Sequence, residues 1–367
     1  MKYYIIAGEA SGDLHGSNLI REIKKLDASA EIRAWGGDKM KAAGALLAKH
    51  YRDLAFMGFA EVIKNLPAIM KNFKFCKGDI KLFNPDVVVL IDYPGFNLRM
   101  AEWTHDNHYK TVFYISPQVW AWKENRVKAI KKYVDKMIVI LPFEKQFFEK
   151  WNYEVAYVGH PLANVIEHFK NEHSSLKRSS NIIALLPGSR KQEIQAKLPV
   201  MLEASKNFPA YSFIVAKAPS VDDEFYVPFL EKYNNVKVIA NDTYSLLMQA
   251  NAALVTSGTA TLETALFGVP EIVCYKASNI SYQIARRLVK LEFISLVNLI
   301  MNKEVVKELI QDQLTPENIT RELNGILFDT LKREKIEMDF AELKSLLSEG
   351  GDASANAARI IYSFISK

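Results

Sequence analysis

Residues Ala252–Pro270 read AALVTSGTATLETALFGVP, and this stretch decides how the chain is built. Ala253–Thr256 is a short apolar run of the kind that fills a buried parallel strand. Ser257-Gly258-Thr259 is a small-residue turn, and Ala260–Phe267 is a short helix closed by Gly268 and Pro270. A glycine turn at the C-terminal end of a strand lets a phosphate reach backbone N–H groups and the positive end of a helix dipole. Ser257, Gly258 and Thr259 are therefore candidate phosphate contacts. Glu263, in the first turn, is a candidate acceptor for a ribose diol. Plain helix capping by the hydroxyls, with Glu263 favouring the dipole, accounts for the same residues without a ligand.

A companion stretch shifts the balance. Leu185–Arg190 (LLPGSR) is another strand-then-glycine turn, and it ends in a cation. Two such turns, about one βαβαβ half apart, suggest a nucleoside diphosphate held by Gly188, Ser189, Arg190 and the Ser257–Thr259 helix start. In doubly wound folds that site lies at the C-terminal edge of a parallel sheet.

The first half alternates in the same way. Tyr3–Ala7 reads as a strand that runs into Gly8–Gly16 (GEASGDLHG), with a helix continuing to about Leu26. The turn is not G-x-G-x-x-G, and no acidic residue sits at the ribose distance, so a dinucleotide reading is weak. Glu9 and Asp13 fit a hydroxylated ligand better than a pyrophosphate, and Ser11 and His15 share their loop. Glu31–Trp35 is a second strand, followed by a helix over Asp38–Ala43. Pro85–Ile91 (PDVVVLI) reads as a central strand that delivers Asp92 to the same edge, placed for general base work or for capping the next helix. Thr111–Ile115 leads into Ser116–Trp122, where Trp120 and Trp122 either line an acceptor pocket or fill a gap. Lys123–Lys136 packs six cations into one expected amphipathic helix, which offers Lys123 and Arg126 to a phosphate or simply to solvent.

Leu54–Phe83 interleaves large apolar groups, among them Met57 and Phe59, with Lys64, Lys71, Lys74, Lys77 and Lys81. That is an apolar surface with a basic rim for an anionic bilayer, or else a pair of amphipathic helices burying one face on the sheet. His160, beside Pro161, is as well explained by structure as by contact with a donor phosphate.

At 367 residues, 49% apolar and 24% charged, the chain has the composition of an ordinary globular protein of about two domains. A net charge of +5 is compatible with an acidic ligand and too small to argue for nucleic acid. Cys76 and Cys274 are the two cysteines, so neither a disulfide framework nor a zinc site is expected. The sequence has no signal-peptide pattern and no apolar run of about 18 residues. The polar run Lys170–Ser180 is the best linker. It divides the chain into residues 1–168, joined by a last helix over 352–367, and residues 169–351.

Taken in order, the motifs become specific. They are Gly8–Asp13, Ile91–Pro94 with Phe96-Asn97, Ser116-Pro117 with Val119–Trp122, Leu141–Glu144, Gly159-His160, Leu185–Arg190, and Ser257–Ala260 with Leu262-Glu263. Over nearly the whole chain they closely resemble the lipid-A-disaccharide synthase family, membrane-surface glycosyltransferases of the GT-B architecture. Gly95 departs from the pattern where a second acidic residue is usual, and Gln118 where a small hydroxylated residue is usual. Both lie on the acceptor side. The resemblance implies an α/β fold of two doubly wound Rossmann-like domains facing across a cleft, with the C-terminal helix returning to the first domain. It implies a UDP-2,3-diacylglucosamine donor, a 2,3-diacylglucosamine 1-phosphate acceptor, and a β-1,6-linked disaccharide phosphate and UDP as products. Asn298 is expected near the cleft on the same grounds.

In this reading Asp92 is the base, with Glu9, Asp13 and His15 as rivals, and Arg190 neutralises the leaving UDP without a required metal or other cofactor. The enzyme is expected on the cytoplasmic face of the inner membrane, with a homodimer through the C-terminal region as an option. The competing readings are another GT-B enzyme acting on UDP-N-acetylglucosamine, such as a peptidoglycan-precursor transferase or a UDP-sugar epimerase, and a non-catalytic UDP-sugar-binding protein.

Overall fold

Apolar β-branched runs that alternate with amphipathic helices have one economical arrangement, a parallel sheet covered on both faces. The chain, seen in a computed structural model that describes residues 1–54, 66–219, 221–278, 282 and 291–366, forms that arrangement twice. Met57 and Phe59 lie outside the described residues.

The first unit comprises Met1–Pro161 and Ser348–Lys367. Its elements are β1 (Lys2–Ala7), α1 (Ala10–Leu26), β2 (Glu31–Gly36), α2 (Asp38–Ala42), β3 (Leu46–His50), α3 (Leu66–Phe83), β4 (Val87–Ile91), α4 (Pro94–Asp106), β5 (Thr111–Tyr114), α5 (Val127–Tyr133), β6 (Lys136–Val139), α6 (Pro142–Glu149) and β7 (Ala156–Tyr157). The strands run parallel in the order β3-β2-β1-β4-β5-β6-β7. β1 and β4 are central and wholly buried apart from Lys2, as expected of strands covered on both faces.

The second unit, Leu162–Leu347, begins within α7 (Pro161–Glu172). It continues through β8 (Ile182–Leu186), α8 (Lys191–Ser205), β9 (Ser212–Lys217), α9 (Asp223–Leu230), β10 (Val236–Ala240), α10 (Thr243–Gln249), β11 (Ala252–Thr256), α11 (Thr259–Leu266), β12 (Glu271–Tyr275), α12 (Leu296–Met301), β13 (Lys307–Ile310), α13 (Pro316–Phe328) and α14 (Thr330–Ser348). Its sheet is also parallel, in the order β10-β9-β8-β11-β12-β13.

The last helix, α15 (Ala353–Ile365), belongs to the first unit and packs on α1. Its buried face carries Ile361 and the small residues Ala353, Ala357 and Ala358, which let two helices approach closely, and Asp352 caps it by accepting the Ala355 amide at 2.9 Å.

One expectation needs correction. Lys123–Lys136 is not one helix: a tight turn at Glu124–Arg126 precedes α5, and Lys136 already starts β6. Asp135 accepts the Thr111 amide at 2.7 Å and pins the segment beside β5, and Val134 is buried, so the backbone must change from helix to strand there. Of the Leu54–Phe83 stretch, residues 55–65 lie outside the described residues, so neither reading of that part is decided, and Leu66–Phe83 forms the helix α3. That helix buries Phe73, Cys76 and Ile80 at helical spacing and leaves Met70, Phe75 and Leu82 exposed beside Lys71, Lys74 and Lys81.

Candidate active site

Loops at the C-terminal ends of the strands carry most of the expected site residues in each unit. In the first unit β4 delivers Asp92. The backbone leaves the strand through the left-handed region at Asp92 (φ 45°) and Tyr93 (φ 50°), and Ile115, just past β5, does so at φ 67°. Such backbone is uncommon outside glycine and an outlier for a β-branched residue such as Ile115. It costs about 1–3 kcal/mol per residue and persists only where the surroundings enforce it. Asn97 enforces it at Asp92. From a fully buried place on α4 its Nδ2 donates to the carbonyls of Asp92 (2.8 Å), Ile91 (3.1 Å) and Ile6 (3.4 Å). Phe96 stacks on Phe73 of α3 with ring centres 4.3 Å apart and anchors the same turn from below.

Burial, reinforced by the Glu9 carboxylate, pushes the Asp92 carboxyl up to about 6. At neutral pH it is ionised yet holds a proton better than a solvated carboxylate does, which is the property a general base needs. Glu9 itself is half-buried at the start of α1.

Glu144, quoted above within Leu141–Glu144 but given no role there, completes the acidic group. It is 1% exposed, and burial pushes it up to about 7, with Asp92 opposing its charge further. Its Oε2 accepts the amides of Leu141 (2.9 Å) and Ile140 (3.2 Å), and its Oε1 accepts Trp120 Nε1–H at 3.2 Å. Three donors thus face one carboxylate and favour its ionised form against burial. The detectable sequence signal was the Pro142-to-Glu144 spacing of a helix N-terminus.

The remaining residues of this unit divide. The Asp13 carboxylate accepts the amides of Gly37 (2.7 Å), Met40 (3.0 Å) and Lys39 (3.1 Å), so it caps α2. His15 is buried, and burial with Lys39 nearby pushes it down to about 4; His160, also buried, is pushed down to about 3 by burial and by His15. Both imidazoles are neutral at physiological pH, and His15 is a weaker base than Asp92. Ser11 is half-buried on the first turn of α1. Trp120 meets Phe143 edge-on at 4.9 Å. Trp122 is 41% exposed and carries Lys123 Nζ at 4.4 Å and the Arg126 guanidinium at 5.4 Å over its ring.

In the second unit the two glycine turns lie on neighbouring strands, β8 and β11. Gly188 (φ 129°) and Gly258 (φ 145°) hold backbone conformations that side chains rarely adopt. Past Gly188, Arg190 is about half exposed, and its Nη1 donates to Glu193 Oε1 at 2.8 Å. Ser189 N donates to Glu193 Oε2 at 3.1 Å. Past β11, Gly258 and Thr259 are exposed at the start of α11, Ser257 Oγ donates to the Ile294 carbonyl at 2.9 Å, and Glu263 accepts the Tyr244 hydroxyl at 2.8 Å. Beneath the turns Lys197, 3% exposed, donates to the Thr256 hydroxyl, and burial pushes its ammonium down.

Asn298 does not present its side chain to a ligand. It is fully buried; its Oδ1 accepts the Val305 (2.8 Å) and Val306 (3.0 Å) amides, and its Nδ2 donates to the Val306 carbonyl (2.9 Å) and Glu308 (3.0 Å). All four of its hydrogen-bonding sites are used, so it is a structural bracket. Glu308 extends that bracket by accepting the Ile294 and Ser295 amides.

Among the described residues no group of three or more His, Cys, Asp or Glu side chains is arranged to hold a metal ion, and no helix is long and apolar enough to cross a membrane.

Comparison with known proteins resolves what this geometry leaves open. The fold is shared with a glycotransferase of kitacinnamycin (TM-score 0.69, 13% identity, 99% of each chain) and with a UDP-GlcNAc 2-epimerase from Neisseria meningitidis (TM-score 0.64, 12% identity, the whole of each chain). Fold alone therefore does not separate a transferase from an epimerase. Sequence does. The lipid-A-disaccharide synthetase family model matches residues 3–361, and the lipid-A-disaccharide synthase of Geobacter metallireducens is 38% identical over 99% of this chain and 97% of its own. The chain belongs to the lipid-A-disaccharide synthase family.

Proposed function

We propose that this glycosyltransferase of lipid A biosynthesis moves 2,3-diacylglucosamine from UDP-2,3-diacylglucosamine to 2,3-diacylglucosamine 1-phosphate, with inversion at the anomeric carbon. Family membership supports the reaction. The observation that carries the mechanism is Asp92, a strand-end carboxyl held at about 6 by burial and Glu9. In this mechanism Asp92 takes the proton of the attacking acceptor hydroxyl. The leaving UDP is stabilised by Arg190, the Ser189 amide and the start of α11, whose first N–H groups have no partner within the helix. Trp122 with Lys123 and Arg126 receives the acceptor's phosphate, and the exposed Met70, Phe75 and Leu82, interleaved with lysines, rest on an anionic membrane surface. The exposed side of α15, with Arg359 and Ser363, is the face left for self-association.

The test is UDP release from the donor, with and without the monosaccharide phosphate, for the wild type and Asp92→Ala. Acceptor-dependent release that collapses in the variant, with UDP binding retained, supports reaction and base together. Release that ignores the acceptor would replace transfer with hydrolysis or epimerisation. Sedimentation with vesicles containing an anionic lipid, compared with neutral vesicles, tests the membrane face.

A further inference from the structure

We propose that Glu193 is an internal stand-in for the donor's pyrophosphate, and that Lys197 takes over the Glu193 carboxylate when the donor binds. The inference rests on the donor reading of the Gly188–Arg190 turn. Glu193 holds the two groups that reading assigns to the ligand: Ser189 N at 3.1 Å and Arg190 Nη1 at 2.8 Å. The turn is shaped around it, since a Cβ on Gly188 would stand 2.5 Å from Glu193 Oε2 and 2.8 Å from its Cβ. An anion therefore already lies where the diphosphate must go, so binding is an exchange of one anion for another.

The exchange is made easy by where Glu193 and its neighbours lie. Glu193 and Arg190 are both partly exposed, so their ion pair is weak and displaceable. One turn along α8, Lys197 lies on the same face as Glu193, with the acid on the N-terminal side, the better orientation for an i,i+4 pair. Lys197 is buried on the Thr256 hydroxyl, and Glu193 is the charge that most supports its protonated form. Rotation of one side chain, with no backbone movement, would give Glu193 a new cation as it gives up Arg190. Because Thr256 is the residue before Ser257-Gly258-Thr259, Lys197 would link the two glycine turns as they fill.

Calorimetric UDP affinity, with a melting curve for each protein, tests this in the wild type, Glu193→Gln, Lys197→Met, the double variant and Arg190→Ala. Removing the stand-in charge should tighten UDP binding about two- to fivefold, the range an exposed ion pair supports. Lys197→Met should weaken UDP binding in the wild-type background and leave it unchanged beside Glu193→Gln. Equal or weaker binding by Glu193→Gln, as expected if Glu193 only caps α8, overturns the proposal whether or not Lys197→Met folds. Equal weakening by Lys197→Met in both backgrounds would make Lys197 a direct donor contact and end its role as receiver. Arg190→Ala separates the two levels. If it leaves UDP affinity unchanged, the donor reading of this turn fails and the inference falls with it. If it weakens UDP while Glu193→Gln does not tighten it, the stand-in alone is lost.

Discussion

Asp92 and Arg190 both sit in loops that follow a strand of a parallel sheet, yet their surroundings differ in what governs chemistry. Around Asp92 the backbone is forced into left-handed turns by a buried asparagine, the neighbours are carboxylates, and burial raises proton affinity. Around Arg190 the turn is glycine, the cation is half exposed, and its partner is a carboxylate on the next helix turn. The first edge is rigid and partly dry, suited to holding a proton. The second is open and charge-matched, suited to admitting and releasing a diphosphate. One topology supports both because the strand ends fix only where a loop starts, while the loop residues decide what it does.

That contrast can be broken. If the first edge is the proton-handling one, Asp92→Asn should lower the acceptor-dependent rate about 10²- to 10⁴-fold while UDP affinity stays the same. A variant that loses UDP binding instead would erase the division of labour. Arg190→Ala should lower kcat/KM about ten- to a hundredfold, the range of a lost charge-assisted contact, with the acid limb of the pH profile unmoved. In the proposed mechanism that limb is set by Asp92. A base must be unprotonated, so kcat/KM should fall as pH drops through about 6, and Glu9→Gln, which removes an opposing charge, should move the fall to lower pH. An unshifted limb would mean another group titrates.

Two smaller effects sharpen the structural side. Asn298→Ala should cost about 2–4 kcal/mol of stability by orphaning buried amides, and leave KM for the donor unchanged; a raised KM with a normal melting temperature would restore it to the donor site. Glu271 is buried, and neither side-chain oxygen has a hydrogen-bond partner among the described residues, so burial pushes its carboxyl well above the usual range. Its folded pKa exceeds the unfolded value of about 4.3. Its contribution is therefore fully present below that value and is lost as pH rises. Glu271→Met should raise Tm, by about 2–4 °C per kcal/mol recovered, and the gain should be larger at pH 8 than at pH 5.

Legibility followed range. Strands wholly inside a sheet announced themselves, as in Pro85–Ile91 and Ala253–Thr256, because burial on both faces requires continuous apolar runs. The glycine turns and Asp92 were legible because they punctuate those runs. β3 was missed: Leu46–His50 is an edge strand whose Leu46 is 64% exposed, so it lacks that apolar signature. β6 was hidden by the basic run before it, where Asp135 reaching Thr111 decides the boundary across 24 residues. Asp13 and Asn298 were visible as polar residues in suggestive places. Their partners were not: for Asp13 they are amides 24–27 residues away, and no local pattern records them.

The packing of α15 on α1 also sets an order of events during synthesis. The first unit starts at Met1 but needs residues 348–367, so it stays unfinished while the whole second unit is translated. The later unit is the one that can fold first on the ribosome. Near the crossing, the returning chain passes so close to the outgoing one that a Cβ on Gly350 would stand 2.3 Å from Gly159 N. A release assay on stalled nascent chains should find the second unit protease-resistant while the first is still cleavable, and a truncation before residue 348 should leave the first unit a chaperone client.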